Sequence, residues 1–387
     1  MVRFGIIGYG KQGQLYGGIL SGTEHWGGFT SPQPKDCVLT AVASRNEGVR
    51  AQVEALPNVQ YFKDWRDLIA SDACDAVVIT VPHFNHHEIA VAALEAGKHV
   101  LCEKPMTVRA DHAEAIVDAW KQSRGTKAAV MFNQRSNPLL RRIKAIIDSG
   151  ELGTVRNTYY LNNNWWRPDN YYAENSWRGT WTGEGGGILV NQAPHPLDLW
   201  IWLCGMPKSV YAVCEEGAHR SINVENDVMV MARYENGSHG MFTSCSHDLL
   251  GTDRLEIAFD KGKIVLEGNR KATILRYAKT EREFGEIYDF RSFGGVLARD
   301  PESIRRVEEL SYETAFTEDY VAMFENFADY VEGAAAPIAS AEDGLNQVRL
   351  TNAIQLSSWT GKEIELPCDT EAYGRWLARK MREEKEA

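Results

Sequence analysis

The stretch that most constrains the fold is Gly8-Tyr9-Gly10-Lys11-Gln12-Gly13. It follows the apolar run Val2 to Ile7 and precedes Gln14 to Leu20, which reads as a helix. Glycines at this G-x-G-x-x-G spacing let the chain turn tightly, let a pyrophosphate approach the backbone, and let helix pack on strand. The phosphates then sit at the positive end of the helix. A plain glycine turn is the bland alternative. The position between a strand and a helix favours dinucleotide binding through Gly8, Gly10, Lys11, Gln12 and Gly13.

Strand and helix keep alternating. Cys37 to Ala43, Val59 to Phe62, Asp75 to Val81, Val100 to Cys102 and Ala128 to Phe132 read as strands. Asp64 to Ala70, the stretch opened by His83 and ending at Ala96, and Ala110 to Gln122 read as helices. This is the α/β pattern of a doubly wound parallel sheet, expected over residues 1–130. A polar loop from Gly22 to Asp36, holding Gly27, Gly28, Pro32 and Pro34, lengthens the approach to the second strand. That strand ends in Ser44-Arg45, where an NAD site would usually place an acid for the ribose hydroxyls. A hydroxyl and a guanidinium suit a 2′-phosphate, so NADP(H) is expected to be slightly preferred over NAD(H). The alternative is that Arg45 only stacks on adenine.

Two further segments point into the same region. Glu103-Lys104-Pro105 leaves the fifth strand, and Pro105 stiffens the turn that presents Lys104. Ligands of doubly wound sheets bind at those carboxyl ends, so the Lys104 amine is a candidate catalytic group; a solvated loop lysine is the common alternative. Val81-Pro82-His83, with His86 and His87, lies where a helix begins. Three close histidines invite a metal reading. Only Glu88 accompanies them, so Val81, Pro82, His83 and His86 are expected at the cofactor or in local capping, and no metal is expected. Glu103 and Asn133 complete the expected cofactor contacts.

Net charge is −11 with no block of Lys or Arg, which argues against nucleic acid. Met1-Val2-Arg3 leads straight into a strand, without the features of a secretory leader, and no run reaches the apolar length of a membrane helix. The seven cysteines are scattered, without Cys-x-x-Cys pairs. Free thiols in a reducing cytoplasm are therefore expected, and a zinc site is not.

Residues 131–368 read as a second, substrate-binding unit, and 369–387 as a terminal helix. Asn137 should cap a helix reaching Ser149 and stopped by Gly150. Alternating strands follow, among them Ser209 to Cys214, Val228 to Tyr234, Met241 to Ser244, Leu255 to Phe259 and Lys263 to Leu266. Residues 285–308 are expected to be less regular. An aromatic segment rich in Asn, Gly and Asp holds Trp165, Trp166, Tyr171, Tyr172, Trp177 and Trp181, with Arg167 and Arg178. Packing is the ordinary use of such rings. On a polar loop they also suit the apolar faces and hydroxyl edges of a sugar. Trp166, Tyr172, Trp177 and Arg178 are the candidate substrate contacts, with Arg135 and Asn191. Asn191 and His195 are four apart, but Pro194 and Pro196 make a helix start near Pro194 the alternative to one continuous helix. Asp198 is expected to stabilise its helix.

Gly8-x-Gly10-x-x-Gly13, Val81-Pro82 with His86, Glu103-Lys104-Pro105, and Glu184-Gly185-Gly186-Gly187 through His195-Pro196-Leu197-Asp198 occur in an order that resembles the glucose–fructose oxidoreductase/inositol dehydrogenase (Gfo/Idh/MocA) family. Asn326-Phe327 through Pro337, Ser340, Glu342-Asp343-Gly344 and Leu350 to Pro367 resemble its closing elements. The resemblance implies a Rossmann domain followed by an α/β domain with a large, open, mostly antiparallel sheet. It implies NAD(H) or NADP(H), a sugar or polyol substrate, and homodimers or homotetramers through the exposed sheet. It assigns catalysis to Lys104 and His195. In most members the position of Asn191 looks like an Asp that orients the His, so the resemblance does not carry a three-member proton relay over to this chain. Asn holds partners by hydrogen bonding only. Hydride exchange with a secondary alcohol or ketone is the leading expectation. The alternatives are a redox-neutral glycoside-processing enzyme with a recycled dinucleotide, and a non-catalytic dinucleotide sensor.

Overall fold

The computed structural model describes residues 1–23, 28, 30–313, 315 and 317–386. Gly27, expected in the loop before the second strand, lies outside them. Among the described residues the chain forms two large sheets. β1 (Val2–Ile7), β2 (Cys37–Ala43), β3 (Gln60–Phe62), β4 (Ala76–Ile79), β5 (His99–Cys102) and β6 (Ala128–Val130) run parallel in the order β3-β2-β1-β4-β5-β6. The winding reverses between β1 and β4, and that switch point is where such sheets take ligands. All four residues of β4 are buried, as in a strand covered on both faces.

The second sheet holds β7 (Val155–Asn162), β8 (Ser209–Glu216), β9 (Glu225–Arg233), β10 (His239–Cys245), β11 (Asp253–Phe259), β12 (Gly262–Glu267), β13 (Lys271–Tyr277), β14 (Arg305–Ser311) and β15 (Ile364–Glu365). Their order is β14-β13-β12-β11-β7-β10-β9-β8-β15, antiparallel except for the parallel pair β10–β7. Inner side chains such as Val228, Val230, Phe242 and Ile257 form a core with Leu197, Trp200 and Ile354 from two covering helices. The outer face carries an exposed apolar row. Tyr211 opposes Met231, and Val213 opposes Met229; Met231 also opposes Met241, which opposes Tyr159. Met231 is 59% exposed and Met229 58%.

The two sheets share their final helices. Glu318–Glu332 returns to the first sheet, where the Phe324 ring meets Phe4 edge-on at 5.6 Å. Ala341–Thr360 starts in a capping box between Ser340 and Asp343 and ends on Gly361 at φ 64°. It is buried along its length because Leu345 and Val348 pack in the first core and Leu350, Ala353 and Ile354 in the second. Residues 285–308 are more ordered than expected. Helices Glu281–Ile287 and Phe290–Arg299 each begin in a capping box, from Thr280 and Asp289, and lead into β14. All seven cysteines carry free thiols. Among the described residues no helix is long and apolar enough to cross a membrane.

Candidate active site

A cleft of about 690 Å³ runs from the carboxyl ends of β1, β2, β4 and β5 to the aromatic loop of the second sheet. On its first side the glycine turn works through backbone. Gly8 sits at φ 97°, where an added Cβ would meet the Thr80 backbone at 2.9 Å. The turn is tied down by the Thr80 hydroxyl, which donates to the Gly8 carbonyl at 2.6 Å. A Cβ on Gly10 would meet nothing within 4 Å, leaving the backbone open to the cleft. Gly13 does not line the cleft; its Cβ position lies 2.1 Å from the Gly8 carbonyl oxygen, so it serves helix–strand contact. Helix Lys11–Ser21 has no side-chain cap, and its first N–H groups are open to an anion. Gly8, Gly10, Lys11, Gln12, Ser44, Arg45, Val81, Pro82, His83, His86, Glu103, Lys104 and Asn133 all line the cleft. Asn133 brings a buried Oδ1 with no partner among the described residues. These features fit a dinucleotide: an open glycine turn, an uncapped helix end and an orphaned acceptor.

The three neighbouring histidines diverge. His83 faces the cleft, its Nδ1 3.2 Å from the Glu184 carbonyl, and burial pushes its pKa down to about 3. His86 is clasped between the Val81 carbonyl (2.8 Å) and the Pro105 carbonyl (3.0 Å), joining the two loops that carry Val81-Pro82 and Lys104. His87 stacks on His112.

Lys104 and His195 meet in this cleft. The Lys104 amine donates to the Asn191 carbonyl at 3.0 Å. Glu103 beside it accepts from the Tyr16 hydroxyl and, at 2.9 Å, from the Lys104 N–H, which fixes the loop. Burial lowers the Lys104 pKa against the opposing pull of Glu103 and Glu184. His195 lies in the first turn of helix Pro194–Cys204, which starts at Pro194 as a helix of its own, after the short turn Ile188–Asn191. Burial, with the nearby Lys104 charge, pushes its imidazole well below the ordinary pKa. Its Nδ1 is buried without a partner among the described residues.

The substrate side differs from expectation at three residues. Arg135 does not line the cleft. It is buried, gripping Asp198 through two hydrogen bonds of 2.8 and 2.7 Å and reaching Asp343 at 3.1 Å. Asp198 therefore ties the His195 helix to Arg135 rather than serving its helix alone. Trp166 is 38% exposed and lies off the cleft wall; its neighbours Trp165 and Arg167 line it instead. Tyr172 also lies off it, its hydroxyl 3.1 Å from the Ser246 hydroxyl. Trp177, Arg178 and Asn191 do line the cleft. Glu184, absent from the expected site residues, is buried behind Asn191. It accepts from the Asn191 side-chain amide and, at 2.7 Å, from the Gly179 N–H, and burial raises its pKa to about 7. An acid immediately before a glycine triplet is the signal the sequence offers for it.

Fold and site together define an NAD-binding oxidoreductase. Residues 2–132 match the family model described as "Oxidoreductase family, NAD-binding Rossmann fold", and residues 140–265 match the "GFO/IDH/MocA C-terminal domain". The chain belongs to the Gfo/Idh/MocA oxidoreductase family. It is 26% identical over 373 residues to scyllo-inositol 2-dehydrogenase (NADP(+)) of Bacillus subtilis, covering 94% of this chain and 96% of that one. It is 28% identical over 298 residues to levoglucosan dehydrogenase of Pseudarthrobacter phenanthrenivorans, covering 70% and 74%. Among solved structures, the WlbA dehydrogenase of Bordetella pertussis, in complex with NADH and UDP-GlcNAcA, superposes with a TM-score of 0.74 at 25% identity, covering 95% of this chain and 99% of that one.

Proposed function

We propose that the protein exchanges hydride between a nicotinamide dinucleotide and a secondary alcohol or ketone of a sugar, polyol or glycoside. The supporting observation is that the Lys104 amine and the His195 imidazole share one cleft with an open glycine turn. Relatives that act on inositols and levoglucosan support the substrate range. A bound dinucleotide supplies the hydride acceptor or donor. Gly8, Gly10, Lys11 and Gln12 would hold its phosphates, and Ser44 and Arg45 its adenosine end. His195, neutral because burial and Lys104 disfavour its charged form, takes the hydroxyl proton in oxidation and returns it in reduction. Lys104, held on the Asn191 carbonyl, donates to the same oxygen and stabilises its developing negative charge.

NADP(H) is the favoured cofactor in this reading, supported by Ser44 and Arg45, which line the cleft just after β2. We also propose self-association through the apolar row on the second sheet, since large exposed apolar patches usually mark interfaces; sedimentation as a monomer contradicts it. The test of the activity is titration with NAD(H) and NADP(H), then turnover of a polyol and glycoside panel with the tighter dinucleotide. Lys104→Ala and His195→Ala should each cut kcat by roughly 10²–10⁴-fold with dinucleotide affinity nearly unchanged. Turnover like the wild type in either variant refutes the reading.

A further inference from the structure

The substrate end of the cleft is cationic in a chain whose net charge is −11. Arg167 and Arg178 both line it. Their guanidinium carbons lie 5.0 and 4.2 Å from the centroid of the same Tyr171 ring. Stacking on that ring, with further rings at Trp165 and Trp177, holds both side chains without using their in-plane donors.

Those donors are mostly unused. Arg167 gives one hydrogen bond, to the Trp166 carbonyl at 3.0 Å, and Arg178 one, to the Tyr171 carbonyl at 3.5 Å. The Nε of each is buried with no acceptor among the described residues. Among the described residues neither forms an ion pair with a carboxylate, unlike Arg3, Arg135, Arg156 and Arg276. The acid that faces Arg178, Glu184, is already committed to the Gly179 N–H and the Asn191 amide. Both guanidiniums also act on Lys104, disfavouring its positive charge. Three positive groups facing one cavity repel one another, and buried donors without acceptors are costly. An anionic ligand relieves both.

We infer that the substrate is an anionic sugar, its carboxylate or phosphoryl group held by Arg167 and Arg178 while the reacting carbinol lies at Lys104 and His195. The inference rests on the proposed oxidoreductase reading and adds a charge requirement to it. Guanidinium forks match both anion types, and the choice of probe tells them apart.

The test uses the full-length protein saturated with dinucleotide. Binding of glucuronate, glucose 6-phosphate, glucose and myo-inositol is measured by calorimetry at low and high salt, and turnover of each is measured in parallel. At least one anionic probe should bind about tenfold or more tightly than glucose, with a preference that shrinks in salt. Which anion wins distinguishes carboxylate from phosphoryl. The Arg167→Met/Arg178→Met variant should erase the difference between anionic and neutral probes, and Arg178→Lys should restore part of it. Dinucleotide binding and the melting temperature confirm that each variant is folded. Glucose or inositol binding as tightly as both anions, no probe binding at all, or an anion preference that survives the double substitution would overturn the inference. Anion binding without turnover of any probe would uphold the anion site at Arg167 and Arg178 and count against the hydride-transfer reading.

Discussion

The two sides of the cleft are built by different means. On the dinucleotide side the decisive groups are backbone: the open turn at Gly8 and Gly10, the Gly13 contact, and the uncapped end of helix Lys11–Ser21. On the substrate side they are side chains held in place by other side chains, some near in the chain and some far. Glu184 braces Asn191 and Gly179, and Arg135 braces the His195 helix through Asp198. Backbone geometry suits a ligand part shared by many enzymes, because it does not depend on side-chain identity. Side chains braced by other side chains can be exchanged singly, which suits the part of the site that must distinguish one substrate from another.

The largest expected effect strikes the backbone side. Gly13→Ala places a Cβ 2.1 Å from the Gly8 carbonyl oxygen, a clash of backbone with side chain that no rotamer relieves. Dinucleotide affinity should fall on the order of 10²-fold, because the turn itself must open. Dinucleotide binding by this variant equal to wild type would show that the turn is not fixed by this contact.

On the side-chain side the corresponding probe is an exchange of acid and amide. Asn191→Asp sets a carboxylate against the buried Glu184. Glu184 already has its pKa raised to about 7 by burial, with Arg178 and Lys104 the nearby cations and His83 touching its carbonyl. A folded pKa above the unfolded value means that stability is full below about 4.5 and is lost as pH rises through about 7. Asn191→Asp should therefore melt lower than wild type, and by more at pH 8 than at pH 5, with a cost of roughly 2 kcal/mol. Adding Glu184→Gln should restore most of it. The amide introduced at position 184 can accept from the Gly179 N–H and donate to the carboxylate introduced at position 191, so every contact has a partner again. Equal melting of the single and double variants at pH 8 would remove Glu184 as the brace.

The same contrast explains what can be read from the chain alone. The glycine turn, Lys104 before Pro105 and the His195 stretch are local signals, complete within a few residues. Arg135 belongs to the brace and not to the cleft because its partners lie 63 and 208 residues away, and nothing beside it in sequence shows them. Trp165 and Arg167 cannot be told from Trp166 in advance, because an irregular loop has no period that says which neighbour faces inward, and the helix Asp169–Ala173 that holds Tyr172 is too short to show one. The Trp165 indole is turned by donating to the Asn162 side chain at 2.6 Å, a detail of the loop's own path. The order in residues 285–308 is written in its caps, Thr280 with Glu283 and Asp289 with Ser292, which polar composition obscures.

The smallest expected effect is also the most selective. Glu384 lies on the terminal helix Thr370–Glu386, which contributes nothing to the cleft wall. Its carboxylate nevertheless accepts from the Trp181 N–H at 2.6 Å, and from the Thr182 N–H and hydroxyl at 2.8 and 2.6 Å. These bonds anchor the end of the loop that carries Trp177 and Arg178. Glu384→Ala leaves those donors to find water, at a cost of about 1–2 kcal/mol, and frees the loop without touching either face of the cleft. KM should rise severalfold for whichever substrate the panel identifies, with kcat little changed. Dinucleotide affinity should not move, because the glycine turn is built from elements at the far end of the cleft. A shift in dinucleotide affinity as large as the shift in KM would mean that the two sides are coupled through the terminal helix, and that the division between a backbone side and a side-chain side does not hold in energy.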